Sequence, residues 1–353
     1  MKTITRLKNA VTATRRAAAL QGGATPHEVV WRSGPVRLRY YAPTVADVTD
    51  GAAPRTPLLL VTPIINRFRV VDLAPESSLV GSLVAQGLPV YLVDWGDVRR
   101  IDGGTDWEDY VLRYLRRAAD VVGARHPGAG MDLAGYCLGG TIAVLFAARF
   151  PERVRKLVTL TTPVDFSGAE PHMDLLRQWV APATFPVERI TEAFGAMPGR
   201  LIQQGFLWQR PVDSAFKLRD AWPRFQDLGF ARFFSVLESW NQDAVDVPGA
   251  AYRRLIRDLY NENHLARGTF LLGREPVDLG RITCPVLVVA ADRDTTCPPP
   301  AAKALLDLVG STETRYLELR GGHIAPIVGP KAKDRLHVPL ARWLAGEPVG
   351  SAA

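Results

Sequence analysis

Cysteine is scarce in this chain of 353 residues. The three present, Cys137, Cys284 and Cys297, are an odd number at spacings that fit neither a disulfide framework nor a zinc site. A disulfide-stapled secreted scaffold is excluded, and a reducing, cytoplasmic compartment is the expectation. Long hydrophobic runs are missing too. The longest apolar stretches, such as Pro57 to Ile65 and Thr141 to Ala148, fall well short of the roughly 18 residues a membrane-spanning helix needs, so no transmembrane segment is expected. No low-complexity tract and no repeat at solenoid periods interrupts the chain. With 47% apolar and 22% charged residues, disorder is excluded and a full hydrophobic core is within reach.

Acidic residues are absent from the front of the chain. Lys2, Arg6, Lys8, Arg15 and Arg16 all precede the first of them, Glu28, so most of the formal net charge of +7 is local and the remaining body is nearly balanced. A nucleic-acid partner is therefore not expected. Residues 1–25 read as a separate basic segment. Ile4, Leu7, Val11 and Ala18 fall near one face of a helix that could lie on a lipid or polymer surface, and a frayed, solvated segment fits the same residues. The segment lacks the apolar region of a secretory signal.

Short β-branched runs recur along the body: Val36 to Tyr41, Leu58 to Thr62, Val90 to Asp94, Asp132 to Tyr136, Leu157 to Thr161, Val286 to Ala291 and Arg315 to Leu319. Segments of helical periodicity separate most of them, including Ser77 to Gln86, Trp107 to Val122, Thr141 to Arg149 and Ala301 to Leu308. This alternation predicts an α/β fold with a mostly parallel sheet flanked by helices. It breaks between about Pro163 and Leu279, where Trp179, Phe185, Phe194, Phe206, Trp208, Phe216, Trp222, Phe225, Phe230 and Trp240 recur at helix-like spacing without a clear strand. The division expected is a core of residues 26–162 and 280–348 with a helical cap insertion over 163–279. A separate helical domain is the alternative.

The sharpest local signal is Gly135-Tyr136-Cys137-Leu138-Gly139-Gly140, directly after one predicted strand and directly before a helix. It reads as the nucleophile elbow of the α/β-hydrolase fold, with cysteine in place of serine. Small residues must flank so tight a turn, and the helix N-terminus at the nucleophile favours a thiolate. On this fold an acid and then a histidine follow the nucleophile after two later strands. Asp292-Arg293-Asp294 follows Val286 to Ala291, and Gly321-Gly322-His323 follows Arg315 to Leu319. Asp294, farther into its loop, is preferred as the acid, and Asp292 as a loop-capping carboxylate. The other histidines, His27, His126, His172, His264 and His337, have no fold-based reason to meet Cys137. The oxyanion donors expected are the backbone N–H of Leu138 and one from the loop Thr62 to Asn66, placed at Ile65. Cys284 reads as a core residue, and Cys297, three residues after Asp294, as a packed thiol near the site.

Together these residues resemble the catalytic subunit of the polyhydroxyalkanoate synthases. The stretches carrying the resemblance are Pro26 to Val30, Asn66-Arg67-Phe68 with Asp72-Leu73, Leu92 to Gly96, Gly135 to Thr141, Val158 to Phe166, Trp240 to Asp243, Asp294 with Pro298-Pro299, and Gly321 to Ile324. The family's nucleophile, acid and base map onto Cys137, Asp294 and His323. The short chain is most similar to class III. The resemblance implies polymerisation of (R)-3-hydroxyacyl-CoA into polyester with release of CoA, and no cofactor, acyl-CoA being the substrate. It also implies a non-catalytic (PhaE-like) second subunit, a homodimer or higher oligomer, and a cytoplasmic location at the surface of polyester granules. Thr295, Cys297 and Pro326 depart from the family's usual pattern. The competing readings are a hydrolase on the same scaffold, whether polyester depolymerase, thioesterase or dienelactone-hydrolase-like, and a non-catalytic granule-associated protein.

Overall fold

The computed structural model describes residues 2–20, 23–44, 55–167, 178, 180–181, 184–209 and 219–347. Among them, eight strands form one sheet: β1 (Glu28–Ser33), β2 (Val36–Tyr41), β3 (Leu58–Val61), β4 (Val90–Asp94), β5 (Asp132–Tyr136), β6 (Lys156–Leu160), β7 (Val286–Ala291) and β8 (Thr314–Leu319). Their spatial order is β1-β2-β4-β3-β5-β6-β7-β8. β1 and β2 join antiparallel at one edge, and every neighbouring pair from β4 to β8 is parallel. The central strands are apolar because helices, among them α2 (Leu79–Val84) and α3 (Arg116–Arg125), cover both faces: every residue of β3, β4, β5 and β7 is buried. α4 (Leu138–Arg149), which follows β5, is buried along its whole length except at Arg149, so it reads as apolar all round rather than amphipathic.

The structure adds one strand the sequence pattern did not mark. β1 is an edge strand whose residues are half-buried or exposed, its apolar run is only Val29-Val30-Trp31, and its register with β2 shifts between Val29 and Trp31. The helix expected over Ala301 to Leu308 is two short helices, Pro299–Lys303 and Leu305–Leu308.

Among the described residues between β6 and β7 the chain forms α5 (Val187–Phe194), α6 (Gly199–Gln209), α7 (Leu228–Asn241) and α8 (Gly249–Arg254). It also holds two two-residue ladders, Ala196–Met197 with Val247–Pro248 and Leu271–Leu272 with Glu275–Pro276, which periodicity cannot detect at that length. Trp240, Val247, Ala251, Leu255 and Leu259 pack into the same core as the sheet. Trp179 and Phe216 lie outside the described residues, as does His172. Within the basic segment lies α1 (Lys2–Ala19): Ala13 and Ala17 are buried, and Ala13 packs with Phe225 and Ala231 from the chain between β6 and β7. Asn9 Nδ2 donates to the carbonyls of Phe225 and Gln226, while Ile4, Leu7 and Val11 remain exposed on another face.

His337 is a buried histidine with both ring nitrogens occupied, facing Ser82 Oγ at 2.9 Å and the Ile327 carbonyl at 2.8 Å. Burial lowers its pKa to about 4, with the Ile327 hydrogen bond opposing and the charge of Lys333 assisting. The unfolded chain therefore takes up this proton first on acidification. The contribution of His337 to stability is full above pH 6.5 and is lost as pH falls towards 4, in total about 3 kcal/mol. Urea unfolding across that window is expected to show a shallower acid loss in His337→Gln than in the native chain. Identical slopes would remove His337 as the cause.

Candidate active site

The carboxyl ends of β3, β5, β6, β7 and β8 converge, which is where open parallel sheets hold ligands. Cys137 follows β5 and caps α4, with φ 53° and ψ −130°. A non-glycine residue in that region is strained, and the turn holds it because the backbone on either side is fixed. Cys137 N donates to Leu160 O at 2.9 Å, while the N–H groups of Gly140 and Thr141 return to Cys137 O at 2.8 and 3.3 Å. Side chains at the flanking glycines would close the elbow: a Cβ on Gly135 would lie 2.4 Å from Gly140 Cα.

Asp294 and His323 come from the loops after β7 and β8. His323 Nδ1 lies 2.6 Å from Asp294 Oδ2, with a carboxylate that is fully buried and an imidazole that keeps an exposed edge. Asp294 Oδ1 accepts from the N–H groups of Thr296 and Cys297 at 2.8 and 2.9 Å, so one oxygen fixes the carboxylate and the other meets the imidazole. The Cys137 thiol lies close enough to His323 to act on its protonation. Burial opposes the imidazolium, yet the charges of Cys137 and Asp294, with the Asp294 hydrogen bond, raise the His323 pKa to about 10. Asp292 takes no part in this contact. Its Oδ1 accepts from Gly321 N at 2.8 Å and ties the two loops together.

Leu138 opens α4, and Ile65 sits in the loop after β3, nearly buried. The two elements touch: a Cβ on Gly139 would lie 2.4 Å from Val61 O. Trp95 Nε1 donates to Thr62 O and Thr62 Oγ1 to Val93 O, both at 2.7 Å, fixing the start of that loop against β4. Cys297 is completely buried, and burial together with the charges of Asp294 and Cys137 holds its thiol well above the ordinary range. Cys284 precedes β7 at the amino ends of the strands, its thiol pushed up by burial to about 11. Among the described residues no group of three His, Cys, Asp or Glu side chains could hold a metal ion, and no helix is long and apolar enough to cross a membrane.

Three neighbours of the site escaped the sequence reading. The Tyr136 ring lies 5.4 Å from that of His323, and its buried hydroxyl has no hydrogen-bond partner among the described residues. Thr161 follows β6 at φ 43° and directs Oγ1 towards the His323 carbonyl at 3.4 Å. Tyr260, from the chain between β6 and β7, packs edge-on against Phe166 and is close enough to Cys137 to feel its charge. Tyr136 stands inside the elbow motif, which gives no sign of its contact with His323, while Thr161 and Tyr260 are brought in by the sheet order and by the chain between β6 and β7.

A cysteine at a strand-to-helix elbow, an aspartate–histidine pair on the loops after β7 and β8 and this strand order define the α/β-hydrolase fold class. The alpha/beta hydrolase fold family matches residues 72–330, and the family described as "Poly-beta-hydroxybutyrate polymerase (PhaC) N-terminus" matches residues 13–83. The "Poly(3-hydroxyalkanoate) polymerase subunit PhaC" of Allochromatium vinosum is 32% identical over 93% of this chain and 90% of its own length. The proteins of the same name from Synechocystis sp. and Haloferax mediterranei are 31% and 34% identical, each over 92% of this chain. The match spans 85% of the Synechocystis protein and 64% of the Haloferax one. The chain belongs to the PhaC family of poly(3-hydroxyalkanoate) polymerases. Among solved structures, an esterase from Thermogutta terrifontis (TM-score 0.51, 17% identity, 91% of this chain and 99% of that one) shares the fold. So does a monoacylglycerol lipase from Paleococcus ferrophilus (TM-score 0.51, 16% identity, 83% and 96%).

Proposed function

We propose that the chain polymerises (R)-3-hydroxyacyl-CoA into polyester, with Cys137 as nucleophile, His323 as base and acid, and Asp294 as the group that orients the imidazole. The observation that carries this is the near-full-length relation to the Allochromatium vinosum polymerase subunit in a chain whose elbow bears a thiol. The Cys137 thiolate attacks the thioester carbonyl of hydroxyacyl-CoA. Negative charge collects on the carbonyl oxygen, where the N–H groups of Leu138 and Ile65 are the proposed donors, and CoA leaves with the proton of His323. His323 then takes the proton of a 3-hydroxyl group as that oxygen attacks an acyl thioester, forming the ester bond and releasing a thiolate. Exchange of one thioester for another is nearly neutral in free energy, so the acyl group stays activated, whereas serine would hold it as a less reactive ester.

The helical region over 163–279 serves in this reading as a lid that excludes water, since hydrolysis would end the chain. A non-catalytic second subunit, self-association and residence on cytoplasmic polyester granules belong to the same proposal; the Allochromatium relative is itself named a subunit. The test is incubation with 3-hydroxybutyryl-CoA, with and without a candidate partner subunit, following free CoA and insoluble polyester together. Polyester formed in proportion to CoA is expected. CoA accompanied only by free hydroxy acid would replace this reading with a hydrolase.

A further inference from the structure

The loop that carries Ile65 is held from outside the sheet by one carboxylate. Asp243, just after α7 in the inserted region, uses both oxygens: Oδ1 accepts from Arg67 Nε and Oδ2 from Arg69 Nη2, each at 2.8 Å. Two further links tie the same segments. Trp240 Nε1 donates to Arg67 O at 3.2 Å, and Asn66 and Ala244 pair as an isolated antiparallel bridge. Arg67 also meets Asp97 at 2.8 Å, but Arg69 has no second acid among the described residues. Its side chain is 1% exposed, and Nε and Nη1 have no partner among the described residues, so Asp243 supplies the ion-pair partner of a buried cation. Removing one member of such a pair leaves a buried charge that must be rehydrated, and the segment carrying it has to move. The segment here begins one residue after Asn66, adjacent to Ile65.

We propose that Asp243 is a positioning residue: through Arg67 and Arg69 it sets the loop Thr62 to Asn66 at the distance from α4 at which a backbone N–H of that loop shares an oxyanion with Leu138. The inference rests on acyl transfer at Cys137, and it names what the inserted region supplies to that step beyond cover. It also gives a use to two sequence stretches, Asn66-Arg67-Phe68 and Trp240 to Asp243, to which the reaction itself assigns no chemistry. An oxyanion donor acts only as charge develops on the carbonyl oxygen, so its displacement lowers turnover and leaves substrate affinity in place.

Two reactions of the same thiol separate this role from a structural one. Acylation of Cys137 by p-nitrophenyl butyrate passes through an oxyanion; alkylation by iodoacetamide does not. In Asp243→Asn, acylation is expected to fall ~100-fold, the low end of the range for loss of one oxyanion donor, with apparent KM and the alkylation rate changed less than about threefold. Asp243→Glu, which keeps the charge, is expected to recover about tenfold of that loss. If Asp243→Asn fails to fold, Trp240→Phe deletes one hydrogen bond to the same loop and is expected to slow acylation about fivefold with alkylation unchanged. Acylation unaffected in the folded variant, or acylation and alkylation falling in parallel, overturns the inference. Polyester synthesis is scored separately on the native chain. Acylation without polymer removes the proposed function and leaves the clamp standing, whereas a Cys137 that no acyl donor modifies removes both.

Discussion

Cys137→Ala is expected to abolish CoA release from 3-hydroxybutyryl-CoA, by at least about 10⁴-fold, while the thermal midpoint stays within a few degrees. The side chain is small and sits at the edge of the core, so its loss leaves little cavity, and alanine tolerates φ 53° no worse than cysteine does. Neither remaining thiol can take over. Cys297 is fully buried beside the Asp294 carboxylate, which disfavours its thiolate, and Cys284 lies at the amino end of β7, away from the carboxyl ends where Cys137, Asp294 and His323 meet. Mass spectrometry of a native reaction stopped early should find a hydroxyacyl adduct on the peptide containing Cys137. An adduct confined to the peptide of Cys284 or Cys297 would move the nucleophile elsewhere.

What could be read in advance follows from how local each constraint is. β3, β4, β5 and β7 are buried on both faces and so appear as apolar runs, and the elbow is legible because close contacts leave no room for a side chain at Gly135, Gly139 or Gly140 around Cys137. Asp294 and His323 could be placed because each lies in a loop directly after a recognisable strand. β1 was hidden by its half-exposed edge position. The docking of α1 on the chain between β6 and β7 was hidden because its contacts involve alanines and backbone carbonyls more than two hundred residues away, as Asn9 with Phe225 shows. Arg69 gives the same lesson at the site. A single arginine in an apolar context, Phe68-Arg69-Val70-Val71, carries no mark of its partner, which is 174 residues distant.

The second large effect separates Asp294 from Asp292. Asp294→Asn should lower turnover by roughly 10⁴-fold, the scale of the corresponding change in Ser-His-Asp enzymes, whereas Asp292→Asn should lower it less than about threefold. In the native site Asp294 Oδ1 is committed to two backbone donors, Thr296 N and Cys297 N. An asparagine keeps those bonds by retaining its oxygen there, which turns Nδ2 towards His323. Nδ1 of the imidazole must then accept, leaving its proton on Nε2, and a ring protonated there cannot take a proton from Cys137 or from an incoming hydroxyl. The variant also removes one of the charges that raise the His323 pKa, so less imidazolium accompanies the thiolate at neutral pH and alkylation of Cys137 by iodoacetamide should slow in the same variant. Asp292 offers the contrasting case, because asparagine can accept the Gly321 N–H as aspartate does and the loop is kept. Steady-state CoA release and the alkylation rate, measured on both variants at pH 7, test the assignment. If Asp292→Asn is the slower variant in both assays, the orienting acid is Asp292, and the 2.6 Å contact between Asp294 and His323 is structural only.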